Sequence, residues 1–189
     1  MPKTVSMNIG NMDFSFEHSL VKIIANRNCP EITLVGLNIG PFEEGNEYEV
    51  SFWIAQELEK AGIARLREEE HLDAAKLYKI QWTERVQTAG QISKLPENFY
   101  SKLRRYITEL KEEIANAPEK MREYEKVQHL THDIVNARLK KIISLASAPA
   151  QSEQILKNFV SEERFLYGQL YTLIHEWQTK ILEYKETEE

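Results

Sequence analysis

Residues 62–77 read Gly62-Ile63-Ala64-Arg65-Leu66-Arg67-Glu68-Glu69-Glu70-His71-Leu72-Asp73-Ala74-Ala75-Lys76-Leu77, and the character of the chain changes across them. Five of the seven glycines lie at or before Gly62, and residues 1–62 carry four basic against nine acidic side chains. The remainder, 63–189, is densely charged but nearly balanced, with twenty basic and twenty-one acidic groups. Upstream the apolar residues come in short β-branched runs; downstream they recur at helical spacing. This predicts an α+β chain, mostly α, with a small N-terminal β-rich domain followed by a C-terminal helical bundle domain. The expected boundaries are 1–68 for a β-rich domain with one helix, 69–94 for a linker helix and loop, and 95–189 for the bundle.

Working back from Gly62, residues 52–61 place Phe52, Trp53, Ala55, Leu58 and Ala61 on one helical face, and Gly62 is suited to end that helix. Leu20-Val21-Lys22-Ile23-Ile24, residues 32–37 and Glu47-Tyr48-Glu49-Val50-Ser51 read as strands, with Ile63-Ala64-Arg65-Leu66 as a closing one. Gly40, Pro41, Phe42 and Gly45 form the expected structural turn between them: proline fixes φ, and glycine takes turn geometry that a side chain hinders. Three or four strands and one helix in about 65 residues make a thin core, expected to lean on something else for stability.

Forward from Leu72, a charged helix is expected to about Gln87, another from Pro96 and a third restarting at Pro118. Within the second, Phe99, Leu103, Ile107, Leu110 and Ile114 form a stripe. In the third, Tyr124, Val127, Leu130, Ile134 and Ala137 form one stripe, and Val135, Leu139, Ile142 and Ala146 another. A short helical stretch over 152–159 precedes the last helix, with Ser161 as its expected N-cap and no full capping box, because position 164 is Arg. Along it Tyr167, Leu170, Ile174, Trp177, Ile181 and Tyr184 are spaced 3, 4, 3, 4 and 3, a near-heptad seam.

Whole-chain composition narrows the function. The net charge of −6 and pI near 5.5 lack the basic surplus of a protein built to grip nucleic acid. No apolar run approaches the roughly 18–20 residues that span a bilayer, so no membrane role and an intracellular location are expected. The single cysteine, Cys29, excludes an internal disulfide and a thiolate metal cluster. No phosphate-binding glycine loop, His-Glu-x-x-His or nucleophile-elbow motif occurs. His129 and His132 share a helix face with Asp133 but lack further ligands, and read as a polar face. Arg104-Arg105 and Lys140-Lys141 could contact phosphates, yet they lie among glutamates and read as surface ion pairs. No enzyme activity, catalytic residue, metal or cofactor is expected. The aromatic content stands out: 3 Trp, 8 Tyr and 7 Phe, several on more than one face of a helix, which points to burial by a partner.

The ordered set Leu20–Ile24, residues 32–36, Gly40-Pro41-Phe42-x-x-Gly45 and Val50-Ser51-Phe52-Trp53-Ile54-Ala55 resembles the small β-domain that opens the Psf-two/Psf-three class of GINS subunits. Leu72-Asp73-Ala74-Ala75-Lys76-Leu77 with Thr83-Glu84-Arg85 looks like the linker helix behind it. Residues 95–103, from Leu95-Pro96-Glu97 to Leu103, and Ala137-Arg138-Leu139-Lys140-Lys141-Ile142 are similar to two stretches of the family's helical domain. The resemblance covers about residues 14 to 184, and β-domain first is the order of this class. It implies a non-catalytic scaffold in DNA replication that bridges and activates the MCM helicase. It also implies a hetero-oligomer of two plus two with the other GINS subunit class, a RecJ-like replication partner, and an archaeal-type chain acting in the cytoplasm or nucleoid. Contact with DNA would be indirect or weak; the alternative is a nucleic-acid-binding module using a local basic helix face. The surfaces expected to meet the partner class are Phe99, Tyr100, Leu103, Ile107, Leu139, Ile142, Leu170, Ile174 and Trp177.

Overall fold

A computed structural model describes residues 2–34, 36–67, 71–87, 91–148 and 153–183. The chain divides into two compact units, Met1–Leu72 and Asp73–Glu189. The fold is mostly helical, with a small sheet region at the N-terminal side.

In the first unit, helix α1 (Pro2–Glu17) leads into strand β1 (Leu20–Ala25). A small hairpin follows, β2 (Ile32–Leu34) with β3 (Leu37–Ile39), then β4 (Glu47–Ser51), helix α2 (Phe52–Lys60) and β5 (Ala64–Leu66). Strands β4, β1 and β5 form an antiparallel sheet with β1 in the centre, Val21 opposite Val50 and Ile23 opposite both Tyr48 and Leu66. The alternation along β1 sends Val21, Ile23 and Ala25 inward while Leu20 and Lys22 stay exposed, the period of a half-buried strand. Phe52, Ile54, Ala55 and Leu58 of α2 cover that face with Phe16 of α1, whose ring lies 4.3 Å from that of Phe52.

The expectation of one helix here is corrected to two. Helix α1 carries Gly10, two asparagines and β-branched residues, so local propensity argues against it; packing of Phe16 into the core anchors its end. The strand read over 32–37 is likewise a hairpin, turning at Gly36 with φ +81°. Gly62 ends α2 as expected. Its N–H donates to the Glu59 carbonyl and that of Ile63 to the Leu58 carbonyl, with Gly62 at φ +66°. This is the Schellman arrangement, which needs a residue free to enter the left-handed region.

The second unit contains α3 (Ala74–Val86), α4 (Phe99–Ile114), a 3-10 turn (Pro118–Lys120), α5 (Met121–Ala146), α6 (Glu153–Leu156) and α7 (Ser161–Leu182). Asp73 caps α3 by accepting from the Lys76 N–H at 2.7 Å. Helix α3, expected as part of a linker, packs along α5 instead and buries Leu77. Gln81 meets Asp133, Glu84 meets Arg138, and Gln87 meets Lys141, so the two helices run in the same direction. Helix α4 starts at Phe99 rather than at Pro96, because Asn98 before it is left-handed at φ 54°. Of the two stripes expected on α5, Val127, Leu130 and Ile134 of the first and Ile142 and Ala146 of the second are buried, whereas Val135 and Leu139 are exposed; Arg138 and Lys141 are buried on the same helix. Helix α7 begins one residue earlier than Ser161 as N-cap would give, and Val160 is its cap. Glu163 Oε2 accepts from the Val160 N–H at 3.4 Å, so this carboxylate supplies the reach-back that position 164 does not.

Candidate functional site: a buried charge cluster beneath exposed apolar stripes

Arg138 is completely buried, and its guanidinium is held from three sides. Nε donates to Glu163 Oε1 at 2.6 Å and Nη2 to Glu163 Oε2 at 2.5 Å, a two-pronged pair. Nη1 donates to Glu84 Oε1 and to the Ser93 carbonyl, both at 2.7 Å. Lys141 Nζ donates to Glu84 Oε2 at 2.8 Å and to the Glu84 carbonyl at 3.0 Å. The Ser93 hydroxyl donates to Glu84, and the Tyr100 hydroxyl to Glu163 Oε1 at 2.8 Å. Two cations face two carboxylates, so the formal charges cancel inside the bundle.

Burial raises a carboxyl pKa, but the hydrogen bonds from Lys141 and Ser93 and the charge of Arg138 outweigh it and hold Glu84 below the usual value. Burial opposes the Arg138 cation, and Glu163 and Glu84 more than restore it. The Tyr100 phenol is pushed up by burial and by Glu163 beside it. Glu84 is thus held as the carboxylate, Arg138 as the cation and Tyr100 as the neutral phenol. These three shifts move each group away from proton exchange near neutral pH, which a general acid or base needs. The cluster joins α3, the segment before α4, α4, α5 and α7; its chemistry is that of a clamp.

The expectation that Lys140-Lys141 and Arg104-Arg105 lie on the surface is corrected for Lys141, which is buried on Glu84. Arg105 pairs with Glu109 at 2.6 Å and Arg104 with Glu162 at 3.5 Å. A basic helix face for phosphates is thus largely neutralised within the chain. Among the described residues, no group of three or more His, Cys, Asp or Glu side chains could hold a metal ion, and no helix is long and apolar enough to cross a membrane.

The nine residues expected at a partner interface separate. Phe99, Leu103 and Ile142 are buried in the bundle's own core and offer no surface, which corrects that expectation for these three. Tyr100, Ile107, Leu170 and Ile174 are half-buried; Tyr100 is tied to Glu163, and Leu170 and Ile174 border the cluster of Ile142, Ala146, Phe159 and Tyr167. Leu139 and Trp177 are exposed. Three stripes emerge at i, i+4, i+8 spacing: Tyr78, Trp82 and Val86 on α3; Val135, Leu139 and Ile143 on α5; Leu173, Trp177 and Ile181 on α7. The last is the most open, at 62%, 63% and 63% exposure, and every residue from 176 to 183 is exposed.

In the first unit, the expected turn brings Gly40, Pro41, Phe42 and Gly45 together around a backbone bridge in which Cys29 and Phe42 exchange hydrogen bonds at 2.8 Å. Gly40 stands at φ +91° with the Phe42 ring 3.2 Å from where a Cβ would sit, and the Gly40–Pro41 peptide is cis. Tyr48 packs edge-on to Phe42 and accepts from the Glu43 N–H at 2.8 Å.

A model described as the PSF2 N-terminal domain matches residues 8–67, and one described as the GINS complex protein helical bundle domain matches residues 71–182. The chain belongs to the GINS family. Its domain order is that of the Psf2-type GINS subunits, and GINS subunits of this type are not enzymes. The human protein named DNA replication complex GINS protein PSF2 is 28% identical over 148 residues, covering 78% of this chain and 76% of its own length. The Xenopus laevis protein of the same name is 24% identical over 136 residues, covering 72% and 69%. The buried cluster ties the helices of the bundle together, and the three stripes are apolar surface that the bundle itself leaves exposed.

Proposed function

We propose that this chain is a non-catalytic scaffold subunit of a GINS complex in DNA replication. It assembles with the other GINS subunit class, two copies of each, and the assembly bridges and activates the MCM helicase and meets a RecJ-like partner. The observation that carries the assembly reading is the α7 stripe. Leu173, Trp177 and Ile181 stand open, the last two on a stretch, 176–183, where every residue is exposed, and an uncovered apolar patch of this kind marks a docking surface. Trp is also the side chain most enriched among residues that dominate interface energies. The interface is accordingly centred on Trp177, with Leu170, Ile174 and Leu139 as flanking members. The domain limits proposed with it are the small N-terminal unit and the bundle, with α3 counted in the bundle.

The test is co-expression with a subunit of the other class. The wild-type chain is expected to elute with its partner as one discrete complex, measured by light scattering. Leu173→Asp with Trp177→Asp should release the partner while circular dichroism keeps its helical signal. A complex that survives this pair of substitutions at unchanged mass overturns the α7 interface.

A further inference from the structure

A separate feature lies where α4 and α7 begin. Leu95, Phe159 and Val160, with Lys94, Lys157 and Arg164, help line a cleft of about 340 Å³. Lys94, Lys157 and Arg164 are exposed around it, and among the described residues none of the three forms an ion pair with a carboxylate. Arg164 uses one guanidinium nitrogen on the Leu156 carbonyl at 3.3 Å, which fixes the side chain at the rim. Glu97 is the one acidic residue in the lining. The nearby Glu162 and Glu163 are committed to Arg104 and Arg138. In a chain of net charge −6, three cations gathered on one cleft without acidic partners are out of character with the rest of the molecule.

The wall and floor decide between anionic ligands. Leu95 and Phe159 are buried, and the Phe159 ring packs on Tyr167 at 5.4 Å, so no open aromatic face is available for a base to stack on. The cleft instead offers an apolar floor with cations above it, the complement of a peptide that alternates acidic and apolar side chains. We propose that this cleft binds an acidic linear segment of a partner protein, its carboxylates on Lys94, Lys157 and Arg164 and an apolar side chain against Leu95 and Val160. Attraction of this kind speeds encounter and selects the partner, and it weakens as salt rises.

The test uses the full chain in its co-purified complex and a fluorescent peptide of alternating Asp, Glu and Leu, followed by anisotropy. Binding is expected, with salt-dependent affinity. Lys157→Glu with Arg164→Glu should weaken it by about tenfold or more, as expected when like charges are juxtaposed across an interface. Both side chains are exposed, so the fold should persist, and the complex should keep its mass; that separates this site from the α7 stripe. Absence of binding, equal binding by the double variant, equal binding of an Asn-Gln-Leu peptide, or displacement of the peptide by oligothymidylate at lower concentration than by unlabelled peptide would each overturn the proposal.

Discussion

Arg138 and Glu163 meet through two parallel hydrogen bonds of 2.6 and 2.5 Å with both side chains buried, a contact between α5 and α7 made across 25 residues of sequence. Removing one member of such a pair strands the other charge in the core. Arg138→Ala should therefore destabilise the bundle by about 3–5 kcal/mol. Arg138→Lys keeps the charge but cannot reproduce the fork, and should fall between. Urea unfolding followed by circular dichroism measures both.

Glu84 adds an acid-labile element. Its folded pKa lies below the ordinary 4.5, so the stabilisation it supplies is fully present above that value and is lost as pH falls through the folded one. The urea midpoint of the wild type should drop through that acid range. Glu84→Gln should start lower at neutral pH and show a flatter acid limb. An equally steep limb in the variant would assign the acid sensitivity to other carboxylates.

The two tyrosines of α4 should ionise late. Burial, with Glu123 adding to it, pushes the Tyr106 phenol up to about 12, and Tyr100 is raised further by burial and Glu163. Ultraviolet titration of the folded protein should show a phenolate step near 12 that Tyr106→Phe removes. Tyr100 should ionise only as the bundle unfolds.

Core and surface apolar positions should respond oppositely. Leu103→Ala removes a buried side chain and should cost about 2–5 kcal/mol of stability. Trp177→Ala, at an exposed site, should change stability by no more than about 0.5 kcal/mol while weakening partner binding by about 2 kcal/mol or more. Parallel unfolding and binding titrations distinguish them; a Trp177 variant that unfolds easily would make it a core residue.

This contrast marks the limit of what periodicity reveals. Spacing located α4, α5 and α7 because apolar letters recur every three or four positions whether the covering surface is the same chain or another. It did not separate Leu103 from Trp177, since burial depends on what packs opposite. Gly62 was readable because its requirement is local. Helix α1 was not, because its propensity is poor and its anchor, Phe16, acts through tertiary contact. The charge cluster was hidden by the habit of placing charged letters outside. Its trace lies in the stripe Val127, Leu130, Ile134, Arg138, Lys141, where two cations continue an apolar face at unbroken spacing.

The Gly40 turn gives the first unit its own test. A Cβ at Gly40 would meet the Phe42 ring at 3.2 Å, with φ at +91°, whereas Gly45, at φ +83°, faces open space. Gly40→Ala should therefore destabilise the unit by about 1–3 kcal/mol, and Gly45→Ala by less. Hydrogen exchange at Phe42 and Cys29, which bond each other's backbones, reports both.

The buried cluster also bears on how the bundle is made on the ribosome. Glu84 and Arg138 are 54 residues apart, and Arg138 waits a further 25 for Glu163. While α3, α4 and α5 emerge, Arg138 has only part of its shell and must stay hydrated, keeping the surrounding core open. Closure of that core is thus deferred until the start of α7 has left the exit tunnel, and a nascent chain stalled before Glu163 presents an unsealed bundle to chaperones.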